Sequence, residues 1–272
     1  MRFIYENSLW GVKMDAFIKQ YIQLCDEKYT SLGFGRTQHT YARITNDVVQ
    51  MFSLKRMHKK SMCTIEFGLF PLCLGALSLD MCNYTIDGFD VSAYASHGFW
   101  HYNRNSKDSI YACITAMLFV VDNNLMPFFE RANCSDTALS ELIHLDESFE
   151  NNRLAALAIM GESNCARPWQ EISLQATEKY YMALKTHNYE YAKAYLQLQI
   201  QSCKAVISAS QTGPKQPQVV IRRYSQELIL LQNQLEMLEK ENVAFFDKMI
   251  LCNEKRSRAE LFSKYPFLKN KI

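Results

Sequence analysis

The chain has 272 residues, 48% of them apolar and 21% charged, and its formal net charge of +2 is spread evenly along its length. These are the proportions of an ordinary soluble protein, and they exclude a polycationic surface that holds nucleic acid by charge alone. Nine cysteines, odd in number, scattered through apolar runs and without a CxxC pair, read as small buried hydrophobes in a reducing compartment.

The opening MRFIYENSLWGVK has neither the apolar core nor the cleavage site of a secretory signal. Residues 1–13 are expected to lie ahead of the fold. Trp10-Gly11-Val12-Lys13-Met14 must be encoded by a purine-rich, G-heavy stretch with room for a ribosome-binding site, and translation is expected to start at Met14. Apolar residues at helical spacing (Phe17, Tyr21, Cys25, Tyr29, Leu32) then predict a helix over 14–32, with Asp15 in its first turn and Gly33 at its C-cap. The period changes to two over Tyr41–Ile44, Val48–Leu54 and Met62–Leu72, which predicts antiparallel strands. In the last of these, Cys63, Ile65, Phe67 and Leu69 face one way, and Thr64, Glu66 and Gly68 the other. Phe67–Leu79 is the longest apolar run, but Pro71 and Gly75 interrupt it and it is shorter than the ~20 residues of a membrane span. One or two further strands fall within Phe89–Tyr102. The cluster Lys55, Arg56, His58, Lys59 and Lys60 reads as a solvated hairpin tip.

From Ser106 onwards the pattern is helical. Ser106 is an N-cap for a helix over 107–131, kinked before Pro127. Ser135 opens another, with Leu139, Leu142, Ile143 and Leu145 on one face. Helices are predicted over 153–161, 168–186 (opened by Pro168) and Tyr189–Ser208. Tyr180, Tyr181, Tyr189, Tyr191 and Tyr195 sit at the corner between the last two, as an inter-helix seam first and a binding surface second. SQTGPKQPQ, over 210–218, is a linker.

The strongest pattern follows the linker. Ile221, Tyr224, Leu228, Leu231, Leu235, Leu238, Asn242, Phe245, Met249 and Cys252 alternate spacings of three and four, which predicts a heptad helix over 219–254. A coiled-coil label suits it, with Asn242 as a buried polar residue that fixes register. Off-seam Ile229, Leu230, Met237, Val243, Phe246, Ile250 and Leu251 widen the apolar stripe, however, and the flanking positions lack opposite charges. That width favours packing within one chain, hence a monomer, over a homodimer through the seam. Leu228, Leu231, Leu235, Leu238, Asn242 and Phe245 are the candidate interaction residues. A final short helix is expected to end before Pro266.

Leu32-Gly33-Phe34 at a turn, Tyr41-Ala42-Arg43 in a strand, Phe67-Gly68-Leu69 at a strand end and Leu125-Met126-Pro127-Phe128-Phe129 in a helix together carry a resemblance. Over about 14–165 the chain resembles an uncharacterised bacterial family, domain of unknown function 4304. The resemblance implies an α+β fold and a bacterial origin, and it lends no site.

Catalytic signals are weak. Gly33-Phe34-Gly35 follows a helix and cannot serve as a dinucleotide loop. His97 and His101 would share a helical face, but Gly98 and the aromatics beside it argue for extended chain, where their Cα atoms stand about 13 Å apart. No metal or cofactor is therefore expected. His97, Trp100, His101 and Arg104 remain a candidate pocket, with Glu66, Asp80, Asp87 and Asp90 as acids for proton transfer should they converge on it. The sequence thus predicts an α+β protein. Its 14–133 part is an N-terminal helix with an antiparallel sheet of about four strands, and its 134–272 part is all-helical and ends in a long helical hairpin. The favoured function is a non-catalytic, antitoxin- or immunity-like protein-interaction module in the cytoplasm, working through its sheet face and hairpin on an unknown protein partner. A small enzyme with a pocket at His97–Arg104 is the alternative, and nucleic-acid binding through Lys55–Lys60 is the weakest reading.

Overall fold

The computed structural model describes residues 15–57, 61–75, 84–85, 100–145, 147, 176–212 and 218–271. Residues 1–13, the predicted 153–161 helix, and Asp80, Asp87, Asp90 and His97 lie outside the described residues.

Asp15 is the N-cap of helix α1 (Ala16–Tyr29), its carboxylate accepting from the Phe17 amide at 2.9 Å. Phe17, Tyr21, Cys25 and Tyr29 recur every four residues and are fully buried. Full burial of a side chain such as Phe17 contributes about 1.5–3 kcal/mol. The helix ends three residues earlier than expected, and Gly33, at φ 90°, completes the turn that follows.

The sheet consists of β1 (Gly35–Thr37), β2 (Thr40–Thr45), β3 (Val48–Met57), β4 (Met62–Pro71), β5 (Tyr84–Thr85) and β6 (Trp100–His101). It runs antiparallel in the order β1-β2-β3-β4-β5, and β6 also pairs with β4. The central pair, β3 and β4, is in register from Val48↔Pro71 to Met57↔Met62. Two short strands, β1 and β5, escaped the sequence reading because two or three residues are too few to show a period of two.

One face of the sheet buries Tyr41, Phe52, Leu54, Cys63, Ile65, Phe67 and Leu69 against α1 and a long helix that starts at Ser106. Ser106 caps that helix as expected, accepting from the Ser109 amide at 3.2 Å. It runs as α2 (Lys107–Val120), widens into a π-turn over Val121–Leu125, and continues as α3 (Met126–Arg131). Pro127 has no N–H to give, and the wide turn before it accommodates the missing bond. By length and composition Lys107–Arg131 would suffice to cross a membrane. Here it is a core helix, with Ile110, Cys113, Ile114, Met117 and Leu118 buried.

The 135–145 helix (α4) starts on a neighbouring turn: Asp47 accepts from the Ser135 amide at 3.0 Å and from its hydroxyl at 2.6 Å. Asp47 also pairs with Lys185 at 2.9 Å, and Lys185 with Glu254. Burial alone would push the Asp47 carboxyl up; the hydrogen bonds from Ser135 and Lys185 outweigh it and hold the group below its ordinary value.

Helices α5 (Ala176–Lys185), α6 (Tyr189–Thr212), α7 (Gln218–Glu239) and α8 (Val243–Lys264) complete the chain, followed by a 3-10 turn over Pro266–Lys271. The linker is narrower than 210–218, since α6 keeps helical form through Thr212 and α7 resumes at Gln218. The heptad seam packs within the chain: Leu231 and Leu238 are buried in the main core, with Tyr224, Leu228 and Leu235 against it, and α7 lies along α6.

Two expectations are corrected. The 219–254 region is not one helix, because it breaks at Lys240–Asn242, where Glu241 takes φ 52°. Nor is the expected final short helix separate: α8 takes in its residues, runs on to Lys264 and stops before Pro266. The helical half is also no separate body. Leu261, Tyr265 and Leu268 return to the second face of the sheet and cover Ala42, Val49, Met51, Phe70 and Leu72. Helices therefore pack on both faces, and the sheet face expected to meet a partner is occupied by the chain itself.

Candidate functional site

Two helix corners are built alike. At the first, α5 closes with His187 in the left-handed region (φ 57°), the Asn188 amide donating back to the Ala183 carbonyl at 2.8 Å. The Asn188 side-chain oxygen then accepts from the Tyr191 amide at 3.4 Å at the start of α6. At the second, α7 closes with Glu241, the Asn242 amide donating to the Met237 carbonyl at 3.3 Å. The Asn242 side-chain oxygen accepts from the Phe245 amide at 3.3 Å and caps α8. Each corner thus joins a Schellman closure to an asparagine N-cap. Each also holds a non-glycine residue in left-handed form, at about 1–2 kcal/mol.

His187 Nε2 lies 3.1 Å from Asp247 Oδ1 and ties the first corner to α8. Between the corners is an open cleft of about 440 Å³. Its floor is Leu238 and Phe246, both buried, and its rim carries His187, Glu190, Lys193 and Glu241. The Tyr189 ring stacks on His187 at 5.9 Å. Its hydroxyl is buried and has no hydrogen-bond partner among the described residues. Burial, aided by the charge of Asp247, pushes that phenol above its ordinary value, so it stays protonated and able to donate. An apolar floor and a mixed-charge rim suit binding of a large apolar side chain with its flanking backbone.

The structure distributes the predicted site residues differently from the seam picture. Leu228, Leu231 and Leu235 belong to the seam side of α7 and are buried or half-buried. Leu238 ends that seam and floors the cleft. Asn242 is not a buried register residue: it is exposed at the rim and serves as a cap. The buried phenylalanine is Phe246, and Phe245 is 43% exposed, because the break shifts the phase by one residue.

Of the other candidate pocket, His97 lies outside the described residues, and the structure places the remaining three as follows. Trp100, paired with Cys63, is half-buried; His101, paired with Met62, is exposed; Arg104 is exposed in the turn before α2. Neighbours on a strand point to opposite sides, which parts Trp100 from His101. Glu66 is engaged by Lys55. In the basic cluster, Arg56 binds Asp15 at 3.2 Å and the Tyr102 hydroxyl at 2.9 Å. No group of three or more His, Cys, Asp or Glu able to hold a metal ion occurs among the described residues.

His187, Glu190, Lys193 and Glu241 were not picked out from sequence. The signal that could have found them is the pair of asparagines, each three residues ahead of an aromatic at a helix start: Asn188 with Tyr191, and Asn242 with Phe245. Comparison of the chain with protein-family models, with curated proteins and with solved structures finds no match.

Proposed function

We propose that this protein is a non-catalytic interaction module, antitoxin- or immunity-like, that works in the bacterial cytoplasm and binds a protein partner at the cleft between its two helix corners. The reading rests on one observation: buried Leu238 and Phe246 floor an opening whose rim is polar. Apolar centres inside polar rims are the anatomy of protein-recognition sites. Val243, Phe245 and Tyr191, all exposed, extend the apolar surface around it. The resemblance to domain of unknown function 4304 belongs to the same proposal and adds no chemistry to it.

Selection of a random peptide library against the full chain tests the reading. Enriched peptides should share one large apolar anchor, and Val243→Glu should weaken their binding at least tenfold with an unchanged melting temperature. Failure to enrich any peptide, or peptides indifferent to Val243→Glu, would overturn it.

A further inference from the structure

Three sulfur atoms meet in the main core between the sheet and α2. Cys113 and Met117 stand one turn apart on the same side of α2, and Cys63 meets them from β4. The Cys63 Sγ lies 3.7 Å from the Cys113 Sγ and 3.6 Å from the Met117 Sδ. Both thiols are free. Cys63 and Met117 are fully buried, while Cys113 keeps 6% exposure, which opens one edge of the group to solvent. The Trp100 carbonyl oxygen is 3.6 Å from the Cys63 Sγ.

That spacing separates two kinds of chemistry. A disulfide would need the two cysteine sulfurs to close to about 2.05 Å, a movement of roughly 1.6 Å inside a packed core. A metal bonded to three sulfurs at about 2.3 Å in a trigonal plane would hold them about 4 Å apart, so they need to part by only about 0.3 Å. The donors then choose the metal. Two thiolates and a thioether are soft ligands that select monovalent copper, and calcium and magnesium require oxygen. Zinc completes its structural sites with four ligands, and no His, Asp or Glu joins these two cysteines as a metal-holding group among the described residues.

We propose that Cys63, Cys113 and Met117 form a binding site for one monovalent copper ion. The ion displaces the proton of each thiol. Cu⁺, two thiols and the thioether thus give a singly negative complex and two protons released to solvent, with no change in oxidation state. Arg56, directly opposite Cys63 in the β3–β4 register, lies on the same face of the sheet and offsets that charge. The site shares no residue with the cleft, so its fate and that of the proposed partner binding are separable.

Anaerobic titration of the reduced full chain with Cu(I), in competition with the coloured chelator bicinchoninate, tests this. One equivalent should leave the chelator for the protein, and the melting temperature should rise with it, since the ion binds the folded state. Cys63→Ala and Cys113→Ala should each abolish both effects. Cys252→Ser, which removes an exposed thiol elsewhere, should leave both unchanged. Where a cysteine variant melts lower without metal, Met117→Leu, which keeps the core volume, should still weaken copper binding by about tenfold or more. Zinc should not raise the melting temperature. Four results would overturn the proposal. They are the absence of a tight equivalent, copper held equally well by the three site variants, a zinc effect as large as copper's, and a Cys63–Cys113 disulfide formed in air by a chain that takes up no copper when reduced.

Discussion

Arg43 and Gln50 stand opposite each other across β2 and β3, and the Arg43 Nε donates to the Gln50 side-chain oxygen at 2.7 Å. Gln50 is fully buried and its amide nitrogen donates to the carbonyls of Phe129 and Ala132, at the end of α3. Arg43 reaches the Leu32 carbonyl at 2.8 Å, Glu130 at 2.6 Å, and the face of Phe34 at 4.6 Å. One cross-strand pair thereby holds the turn after α1 and the end of α3 against the sheet.

Gln50→Ala would leave two buried carbonyls and an arginine donor unmet. The expected loss is about 2–4 kcal/mol, read by urea unfolding. A loss under half a kilocalorie per mole would mean that water takes over the amide's bonds.

Gly35 is fitted to Phe267. A methyl group at Gly35 would lie 2.1 Å from the Phe267 ring, closer than any real contact. Gly35→Ala should therefore destabilise by about 1–3 kcal/mol, and most of that cost should vanish in a Phe267→Ala background. Additive effects in the double variant would sink the assignment.

Asn242 discriminates between a continuous heptad helix and the corner. As a buried polar seam residue, its replacement by leucine would stabilise. As the N-cap of α8, Asn242→Leu should instead cost about 1 kcal/mol. Glu241→Gly, relieving a left-handed non-glycine residue, should be neutral or stabilising despite the usual penalty for glycine. Thermal melts of the two variants should move in opposite directions, or the second should not move at all.

The Asp47 cluster sets an acid limit. The folded carboxyl titrates below its unfolded value near 3.9, so its stabilisation is full above that pH and is lost as pH falls through the folded value. Asp47→Asn should cost about 2 kcal/mol at pH 7, since Lys185 is left with Glu254 alone. The gap from wild type should narrow steadily below pH 4 in a stability–pH series, and a constant gap would contradict the assignment.

Long periodic elements were legible in the sequence: α1, β3, β4, α2 and α6 each carry enough apolar residues at one period to be read directly. The alternation at Cys63, Ile65, Phe67 and Leu69 placed these four on one face of β4, and all four join the main core there. What escaped was the break at Lys240–Asn242. Phe245 and Met249 continue the three-four spacing across it, and no glycine marks the turn, because Glu241 bears the left-handed conformation instead. The cleft was hidden for the same reason, since it exists only where that break meets the turn at His187. Nothing in local spacing indicates that Leu261, Tyr265 and Leu268 lie on β2 to β4. Such pairing is a property of the closed chain and leaves no short-range trace.

The return of the C-terminal helix to the sheet also has a temporal side. Ala42, Val49, Met51, Phe70 and Leu72 are covered by residues some two hundred positions downstream. At about 5–20 residues per second, a ribosome needs roughly 10–40 s to supply that cover after the strands themselves have emerged. For that interval the nascent sheet presents a bare apolar face to the cell, which makes it a natural client for chaperones. A chain cut short before Leu261 would never leave that state.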